Sequence, residues 1–283
     1  MRIAVIGARG QLAAAVIHEC QADHELIPFP RADLDVTNDG MVAAAMDAAR
    51  PDVIINGAAF NDVDGAEDHP MDALNINAFG VRALARAASK LGAQLVHYST
   101  DFVFDGRVSQ PYTEADRPNP RSVYAASKLL GEWFALDAPR AYVLRVETLF
   151  GRAPGGGPPK GSVAGIVRAL QAGDAPTVFE DRTVSPTYVI DAARATRHVI
   201  ETQAAPGVYH CVNSGSCTWV ELARELARLL GVEPRLKPSR MADVALRAAR
   251  PQYCALSNAK LRAAGVDLPS WQDALGRYVR ALA

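Results

Sequence analysis

The fold is decided by the stretch Ile3-Ala-Val-Ile-Gly-Ala-Arg-Gly-Gln-Leu-Ala13. Four apolar residues lead into a G-x-x-G-x-x-A turn, in which Gly7 and Gly10 have no side chain and Ala13 stands where a third glycine is usual. A turn of this kind lets the backbone approach a pyrophosphate at the N-terminus of the following helix. The stretch therefore predicts a strand, a tight turn and a helix that together bind a dinucleotide.

Short apolar runs alternate with helical patterns over the first half of the chain. Consecutive apolar positions predict strands buried on both faces at Ile3–Ile6, Glu25–Phe29, Val53–Asn56, Gln94–Tyr98 and Ala141–Arg145. Apolar residues at steps of three and four from Met71 to Ala88 predict one helix. Strands that alternate with helices form right-handed βαβ units. The sequence thus predicts an α/β protein with a doubly wound parallel sheet of the Rossmann type.

After Phe150 the regular alternation of predicted strands and helices becomes weaker. Further elements are predicted as a strand over Thr177–Phe179, a helix over Val189–Glu201, a strand over Val208–Val212 and a helix from Thr218 to Leu230. We expect a dinucleotide-binding domain of residues 1–146 and about 176–205, and a smaller C-terminal substrate-binding lobe of about 147–175 and 206–283. The glycine- and proline-rich segment 153–161 is predicted to be a mobile loop.

The composition excludes several classes of function. The 283 residues carry a formal net charge of -1 with scattered basic residues, so nucleic acid is not an expected partner. No apolar run reaches the ~20 residues of a membrane span, and no signal-peptide cleavage site follows the N-terminus. No metal-ligand spacing is present, and reduced, mostly buried thiols in a cytoplasmic protein are predicted for Cys20, Cys211, Cys217 and Cys254.

Two arginines indicate which dinucleotide is bound. Arg9 lies in the glycine turn, and Arg31 follows the second predicted strand, where an acidic residue would bind the ribose 2′-hydroxyl of NAD. An arginine near this position accommodates a 2′-phosphate instead. The sequence therefore predicts a preference for NADP(H), with NAD(H) as the alternative cofactor.

A tyrosine and a lysine lie one helical turn apart in Tyr124-Ala-Ala-Ser-Lys128. An ammonium near a phenol lowers the pKa of the phenol, so that the phenol can exchange a proton near neutral pH. Thr100 comes at the end of the fourth predicted strand, where its hydroxyl can donate a hydrogen bond to a carbonyl oxygen that awaits a hydride. Together with the glycine turn, these residues predict the reduction of a carbonyl group by a nicotinamide cofactor.

With these motifs the sequence resembles the extended short-chain dehydrogenase/reductases, and within them the dTDP-4-dehydrorhamnose reductase family, over nearly its whole length. The matching segments include Gly7–Leu12, Ser99-Thr-Asp-Phe-Val-Phe-Asp-Gly106, Tyr124–Lys128, Ser185-Pro-Thr187, Arg250-Pro251 and Asn258-Ala-Lys-Leu261. The Ser-Thr-Asp run and the Tyr/Lys pair are the most specific of these matches.

The resemblance implies a role for each matching residue. Tyr124 would protonate the C4 oxygen of a nucleotide-linked 4-keto-6-deoxy sugar, and Thr100 would bond the same oxygen. Lys128 would hold the nicotinamide ribose and tune Tyr124, while Asp101 would help to seat the sugar. Further cofactor contacts are implied for Gly10, Gln11, Leu12, Asp35, Val36, Ala58, Ala59 and Phe60. A homodimer is compatible with the resemblance.

The sequence also departs from the family. The family usually has Arg-Thr-Ser-Trp-Val-Tyr where this chain has Arg145-Val-Glu-Thr-Leu-Phe150, so Thr148 replaces a tryptophan near the sugar. Cys254 stands for a serine, and Ala15 stands where some members have an acidic residue that helps to bind a dimer-bridging metal. Substrate binding is expected from Thr148 and from Arg250, whose guanidinium could clamp a diphosphate or form a surface salt bridge. The exact sugar is left open.

Other functions compete with this interpretation. Dehydratases of the superfamily follow the threonine with an Asp-Glu pair, whereas Thr100 is followed by Asp101 and Phe102, so the dehydratase base is missing. Sugar-nucleotide epimerases share the Thr, Tyr and Lys residues and stay open. A regulatory subunit of methionine adenosyltransferase also resembles these reductases, binds a dinucleotide and acts by association with an enzyme. Oxidation of NADPH in the presence of a 4-keto sugar nucleotide distinguishes a reductase from such a subunit.

Overall fold

The computed structural model describes residues 1–153 and 159–282. Its centre is a six-stranded sheet that consists of β1 (Arg2–Ile6), β2 (Glu25–Phe29), β3 (Val53–Asn56), β4 (Gln94–Thr100), β5 (Ala141–Val146) and β6 (Gly207–His210). The strand order is β2-β1-β3-β4-β5-β6, and every neighbouring pair is parallel. The predicted doubly wound sheet is confirmed. Its order reverses between β1 and β3, the point at which open α/β sheets bind their ligands.

Helices connect the strands and continue beyond the sheet. In the described part of the chain they are α1 (Gln11–Cys20), α2 (Asp39–Ala49), α3 (Gly65–Asp68), α4 (Pro70–Leu74), α5 (Gly80–Leu91), α6 (Val123–Leu136), α7 (Ser162–Gln171), α8 (Val189–Glu201), α9 (Trp219–Leu230), α10 (Ala259–Ala263) and α11 (Trp271–Arg280). None of these helices is both long and apolar enough to cross a membrane.

Helices cover both faces of the sheet. Ile3 and Val5 of β1 belong to one core together with α1 and α8, while Ala4 and Ile6 belong to another together with α2 and α5. Successive side chains of a strand point to opposite faces, so a sheet covered on both sides needs apolar residues at consecutive positions. The carboxyl ends of the strands lead into loops, and these loops carry the candidate site.

The predicted helix from Met71 to Ala88 is interrupted. It consists of α4, a π-helical turn at Asn75–Phe79 and α5, which is capped by Gly92 in the left-handed conformation (φ 65°). One wider turn moves the apolar stripe only slightly, so the spacing of apolar residues does not reveal it. Asn77, which is polar and fully buried inside this stripe, marks the turn.

The second half of the chain builds an apolar core of its own. α7, α9 and α11 contribute Val163, Leu222 and Leu275, all of them buried. α9 starts with the predicted capping box of Thr218 and Glu221 and is capped by a glycine. Short strands pair around this core: Thr183–Val184 with Cys217–Thr218, Thr177–Phe179 with Lys237–Ser239, and Leu149–Phe150 with Thr187–Tyr188.

One strand belongs to a different unit from the one predicted. Residues 206–283 are predicted to form part of the smaller lobe, but β6 pairs with β5 as the last strand of the main sheet. It belongs there because Tyr209 packs into the core on one face of the sheet and Val208 packs on the other. The rest of the division stays a prediction. Of the predicted mobile loop 153–161, residues 154–158 lie outside the described residues.

Candidate active site

The glycine turn lies against the segment that follows β3. Gly7 has a positive φ of 69°, and a Cβ at this position would come within 2.8 Å of the Ala58 nitrogen. Gly10 caps α1, and its N–H donates to the Gly7 carbonyl oxygen at 2.8 Å. The missing side chain at Gly7 thus lets the turn pack against the Ala58 backbone, and Gly10 adds no side chain at the N-terminus of α1. This is the kind of cradle that a pyrophosphate needs.

A cavity of about 950 Å³ extends from this turn past the carboxyl end of β2, along residues 30–37. It is lined by nine residues that the sequence assigns to the cofactor: Gly7, Arg9, Gly10, Arg31, Asp35, Val36, Ala58, Ala59 and Phe60. Arg9 and Arg31 are both exposed, so their guanidinium groups can reach a ligand. Hydrogen bonds from Thr37 hold the pKa of Asp35 below its usual value, and the nearby Arg31 contributes to this. This half of the site thus combines a backbone cradle with two cations.

A second cavity of about 320 Å³ shares five lining residues with the first: Gly10, Gly57, Ala58, Ala59 and Asn61. It is lined by the remaining residues of the predicted cofactor site and by the predicted reacting and sugar-binding residues: Gln11, Leu12, Thr100, Asp101, Tyr124, Lys128 and Thr148. Gly57 lines both cavities and is not among the predicted site residues. Its position directly after β3 was the available signal, because ligands bind at this edge of such sheets.

Two elements position the reacting side chains. Thr100 is the last residue of β4, and its Oγ1 accepts a hydrogen bond from the Phe102 N–H at 3.2 Å. Ser122 caps α6 by accepting from the Ala125 N–H, and α6 then carries Tyr124 and Lys128. The Tyr124 ring meets the Phe102 ring edge to face, with centroids 5.6 Å apart. Tyr124 and Lys128 are both buried.

The protonation of the Tyr/Lys pair differs from the prediction. Burial raises the pKa of Tyr124 above its usual value, the charge of Asp101 raises it further, and the Thr100 hydroxyl partly offsets this. The Lys128 ammonium donates to the Tyr98 carbonyl oxygen at 2.6 Å. Burial lowers the pKa of Lys128 to about 8. The predicted lowering of the Tyr124 pKa is therefore wrong for the free protein, because desolvation of the phenol dominates.

A buried ion pair fixes α6 on the sheet. The Arg145 guanidinium on β5 donates to both carboxylate oxygens of Glu132, at 2.8 and 2.7 Å. Ser99 of β4 donates to the same carboxylate at 2.5 Å. Glu132 lies one helical turn after Lys128, so this bidentate contact sets the position of the lysine relative to Thr100. This ion pair was not predicted from the sequence, where its signal is a charged residue in an otherwise apolar helix.

Asn77 in the π-helical turn holds the loop after β3. Its Oδ1 accepts from the Phe60 N–H at 2.8 Å, and its Nδ2 donates to the Phe60 carbonyl oxygen and to Ser127 Oγ, both at 3.0 Å. A Cβ at Gly131 would collide with the Asn77 carbonyl oxygen, so α6 crosses this turn at close range. Asn77 thus connects the cofactor loop to the helix that carries Tyr124.

The two remaining substrate-binding predictions have different surroundings. Thr148 lines the smaller cavity and has a positive φ of 42°, which is unusual for a β-branched residue. Arg250 lines neither cavity. Its guanidinium makes two hydrogen bonds to the Asp64 carboxylate, at 2.7 and 3.0 Å, and these hold the pKa of Asp64 at about 2. In this structure Arg250 therefore forms a salt bridge, and its role as a phosphate clamp stays a prediction.

The fold and the site together define a class of protein. A doubly wound parallel sheet carries a glycine turn after β1, a hydroxyl at the end of β4 and a Tyr-x-x-x-Lys pair on α6. These features are those of the extended short-chain dehydrogenase/reductases, as the sequence predicts.

Comparison with known proteins identifies the family within this class. The family model described as the RmlD substrate binding domain matches residues 1–283. The chain is 33% identical over 294 residues to the dTDP-4-dehydrorhamnose reductase of Sinorhizobium fredii, with 100% of this chain and 98% of the relative covered. The chain therefore belongs to the RmlD family, and the predicted resemblance to dTDP-4-dehydrorhamnose reductases is confirmed.

Solved structures agree with this assignment. A dTDP-4-dehydrorhamnose reductase from Clostridium acetobutylicum superposes with a TM-score of 0.94 at 34% identity, covering 100% of this chain and 99% of that one. The corresponding enzyme of Bacillus anthracis, solved in complex with NADP, superposes with a TM-score of 0.92 at 32% identity, with 99% of each chain covered.

Proposed function

We propose that this protein uses NADPH to reduce the C4 keto group of a nucleotide-linked 4-keto-6-deoxy sugar, with dTDP-4-dehydrorhamnose as the first candidate and dTDP-rhamnose as its product. The observation that carries the proposal is the joint lining of one cavity by Thr100, Tyr124 and Lys128, next to the groove of the glycine turn. Membership of the RmlD family, with relatives named for this reaction, supports it.

The residues present fit NADP(H). Gly10 at the N-terminus of α1 lines the larger cavity without a side chain, which suits a pyrophosphate, and the exposed Arg9 and Arg31 offer two cations for a 2′-phosphate. The Bacillus anthracis relative was solved with NADP, which supports the same preference, and NAD(H) is the weaker alternative. When bound, the cofactor supplies the hydride.

Residues of this chain supply and position the proton that the sugar oxygen receives. Tyr124 keeps its proton at neutral pH because burial raises its pKa, so it acts as the acid that protonates the C4 oxygen. Thr100 orients that oxygen by a hydrogen bond, and the Lys128 ammonium holds the ribose side of the site. The carbonyl carbon gains a hydride and its oxygen gains the Tyr124 proton, so a hydroxyl group forms and the cofactor is oxidised.

The sugar preference is expected to differ from that of the family. Thr148 takes the place of a tryptophan that could stack on the sugar, a contact of about 1–3 kcal/mol when fully buried. The reaction is therefore the same, with a loosened or altered choice of sugar. Arg250 can bind a substrate diphosphate only if it exchanges its present partner Asp64 for the phosphate.

The protein is expected to act in the cytoplasm. Its four cysteines are buried free thiols, which fits a reducing compartment.

A panel of dTDP-, GDP- and UDP-linked 4-keto sugars, each incubated with the protein and NADPH, tests the proposal. Oxidation of NADPH followed by absorbance, together with identification of the reduced sugar, is the expected result for at least one dTDP-linked compound. If none is reduced while NADPH still binds tightly, the reductase proposal fails and the regulatory-subunit alternative replaces it.

A further inference from the structure

A buried arginine from the second half of the chain lies close to the reacting residues. Arg182 is only 9% exposed, although arginine side chains mostly lie at the surface. Its Nη2 donates to the Cys254 sulfur at 3.7 Å, and its Nε is buried without a hydrogen-bond partner among the described residues. Arg182 lines neither cavity of the site. Burying a cation with so few hydrogen bonds is unfavourable, so another contact has to account for its position.

That contact is with the ring of Phe102. The guanidinium carbon of Arg182 lies 5.3 Å from the centroid of this ring, within the range of a cation–π interaction. Such an interaction is strongest where water is excluded, and the Arg182 side chain is buried. Phe102 itself is only half-buried, because it lines the smaller cavity. Arg182 therefore supports an aromatic ring in the wall of that cavity.

Phe102 in turn contacts the tyrosine that is proposed to be the acid. The rings of Phe102 and Tyr124 meet edge to face, at 88° and with their centroids 5.6 Å apart. In the described part of the chain, Phe102 is the only aromatic ring that pairs with Tyr124 in this way. The buried neighbours of Tyr124 in the same apolar cluster are Ala66 and Ala73, whose side chains are small. Arg182, Phe102 and Tyr124 thus form a continuous row of contacts.

The backbone fixes both ends of this row. Arg182 directly precedes the short strand Thr183–Val184, which pairs with Cys217–Thr218. Tyr124 lies in the first turn of α6. Phe102 lies between them in a single 3-10 turn after β4, where its ring is the part that needs support. The row therefore connects a strand pair of the second half of the chain to the helix that carries the acid.

We propose that Arg182 is a positioning residue for the reaction: it fixes the ring of Phe102, and this ring fixes the hydroxyl group of Tyr124. The proposal rests on the proposed function. Tyr124 can protonate the C4 oxygen only from within hydrogen-bond reach, so a phenol that loses its support lowers kcat without weakening cofactor binding. Arg182 takes no part in the proton transfer itself.

An action of Arg182 through its charge is distinguishable from an action through the ring. One oxygen atom each of Asp101 and Glu147 lie within 4.8 Å of each other, and both carboxyl groups are close enough to interact with the charge of Arg182. An effect that runs through these carboxyl groups persists when Phe102 is replaced. An effect that runs through the ring disappears with the ring, so a double-mutant cycle separates the two.

Steady-state kinetics of the full chain, with a sugar that the wild type reduces, supplies this cycle. Arg182→Met removes the cation and should lower kcat about five- to twentyfold, while the Kd for NADPH stays within about twofold. In a Phe102→Leu background the same substitution should change kcat by less than about twofold. Arg182→Gln should behave like Arg182→Met and covers misfolding of that variant. Arg240→Met, at an exposed arginine paired with Glu180, is the matched control and should leave kcat unchanged.

Two kinetic results overturn the proposal. An equal loss of kcat in the wild-type and Phe102→Leu backgrounds assigns Arg182 to the carboxyl groups instead of the ring. A kcat that Arg182→Met and Arg182→Gln leave unchanged shows that Arg182 does not position the acid.

Carbon-13 NMR tests the row without any turnover. In protein labelled at the Cζ atom of tyrosine, the Tyr124 signal is the one that disappears in Tyr124→Phe. Arg182→Met should shift or broaden this signal, whereas Arg240→Met should not, and in the Phe102→Leu background Arg182→Met should add no further change. A Tyr124 signal that ignores Arg182→Met, or that responds equally without the Phe102 ring, contradicts the proposal. If no sugar is reduced, the proposed function fails, and the NMR result still decides whether Arg182 positions Tyr124.

Discussion

The cofactor side and the sugar side of the site are built in different ways. Every residue that lines the larger cavity lies within residues 7–76, and its binding features are backbone N–H groups and two exposed arginines. The smaller cavity takes its reacting groups from β4, from α6 and from the segment after β5, and most of them are buried. The spacing of glycines in the sequence predicts a site that binds its ligand through backbone N–H groups. A site of buried side chains acquires its properties only when distant segments pack together.

The largest effect is expected on the sugar side. Tyr124→Phe removes the donated proton and leaves the packing against Phe102 nearly unchanged, so turnover should fall by about two to four orders of magnitude. The Kd for NADPH, measured by fluorescence titration, should stay close to the wild-type value. Tyr142→Phe, a buried tyrosine on β5, should retain normal turnover. Retention of most activity by Tyr124→Phe would show that another group is the acid.

The cofactor side is tested through its arginines. Arg9→Ala and Arg31→Ala each remove a charged hydrogen-bond donor from a 2′-phosphate, which should weaken NADPH binding by about ten- to a hundredfold. NADH binding should hardly change, since NADH lacks that phosphate. Arg107→Ala, an exposed arginine that lines neither cavity, serves as control. Equal losses for both cofactors, or tighter binding of NADH by the wild type, would refute the NADP preference.

Lys128 makes the activity sensitive to pH on the alkaline side. Burial lowers its pKa to about 8, so the ammonium is present below this pH and is lost above it. With one essential proton, kcat/KM should fall by roughly tenfold per pH unit above about pH 8. Lys128→Arg keeps its charge over this range, so its profile should be flat from pH 7 to about 10, even at a lower rate. A flat wild-type profile would contradict the role of Lys128.

The smallest effect concerns the strained backbone of the sugar side. Thr148 has a φ of 42°, a left-handed conformation that costs a β-branched residue on the order of 1 kcal/mol. Asparagine tolerates this conformation better, so Thr148→Asn should raise the free energy of unfolding in urea by about 0.5–1 kcal/mol. Thr148→Val keeps the branched side chain and should bring no gain. A gain of equal size in both variants would assign the effect to the lost hydroxyl.

Much of the fold follows from the sequence because its signals are local. The predicted bounds of β2 and of α8 match the structure, since apolar runs and helical spacing are decided by neighbouring residues. The π-helical turn at Asn75–Phe79 was missed because it depends on what Asn77 binds outside its own helix. The sequence assigns β6 to the smaller lobe, although it pairs with β5 in the main sheet. After Phe150 strands and helices no longer alternate regularly, so nothing in the sequence shows which strand β6 pairs with.

The candidate site was predictable in its membership and less so in its chemistry. The spacing of Tyr124 and Lys128 places them on one face of a helix, but it says nothing of burial, and burial decides the pKa of the phenol. The ion pair of Glu132 with Arg145 and the contact of Glu147 with Asp101 join residues far apart in the sequence. No local pattern announces such pairs, so only the folded chain reveals them.

The confinement of the larger cavity to residues 7–76 has a consequence for the order in which the enzyme is made. A ribosome releases the N-terminal part of a chain first, and domains fold as they emerge. All the residues that line the larger cavity are synthesised before residue 77, whereas the smaller cavity has to wait for Glu147 and Thr148. The growing chain therefore carries every residue of its nucleotide groove before the residues of the sugar side are complete.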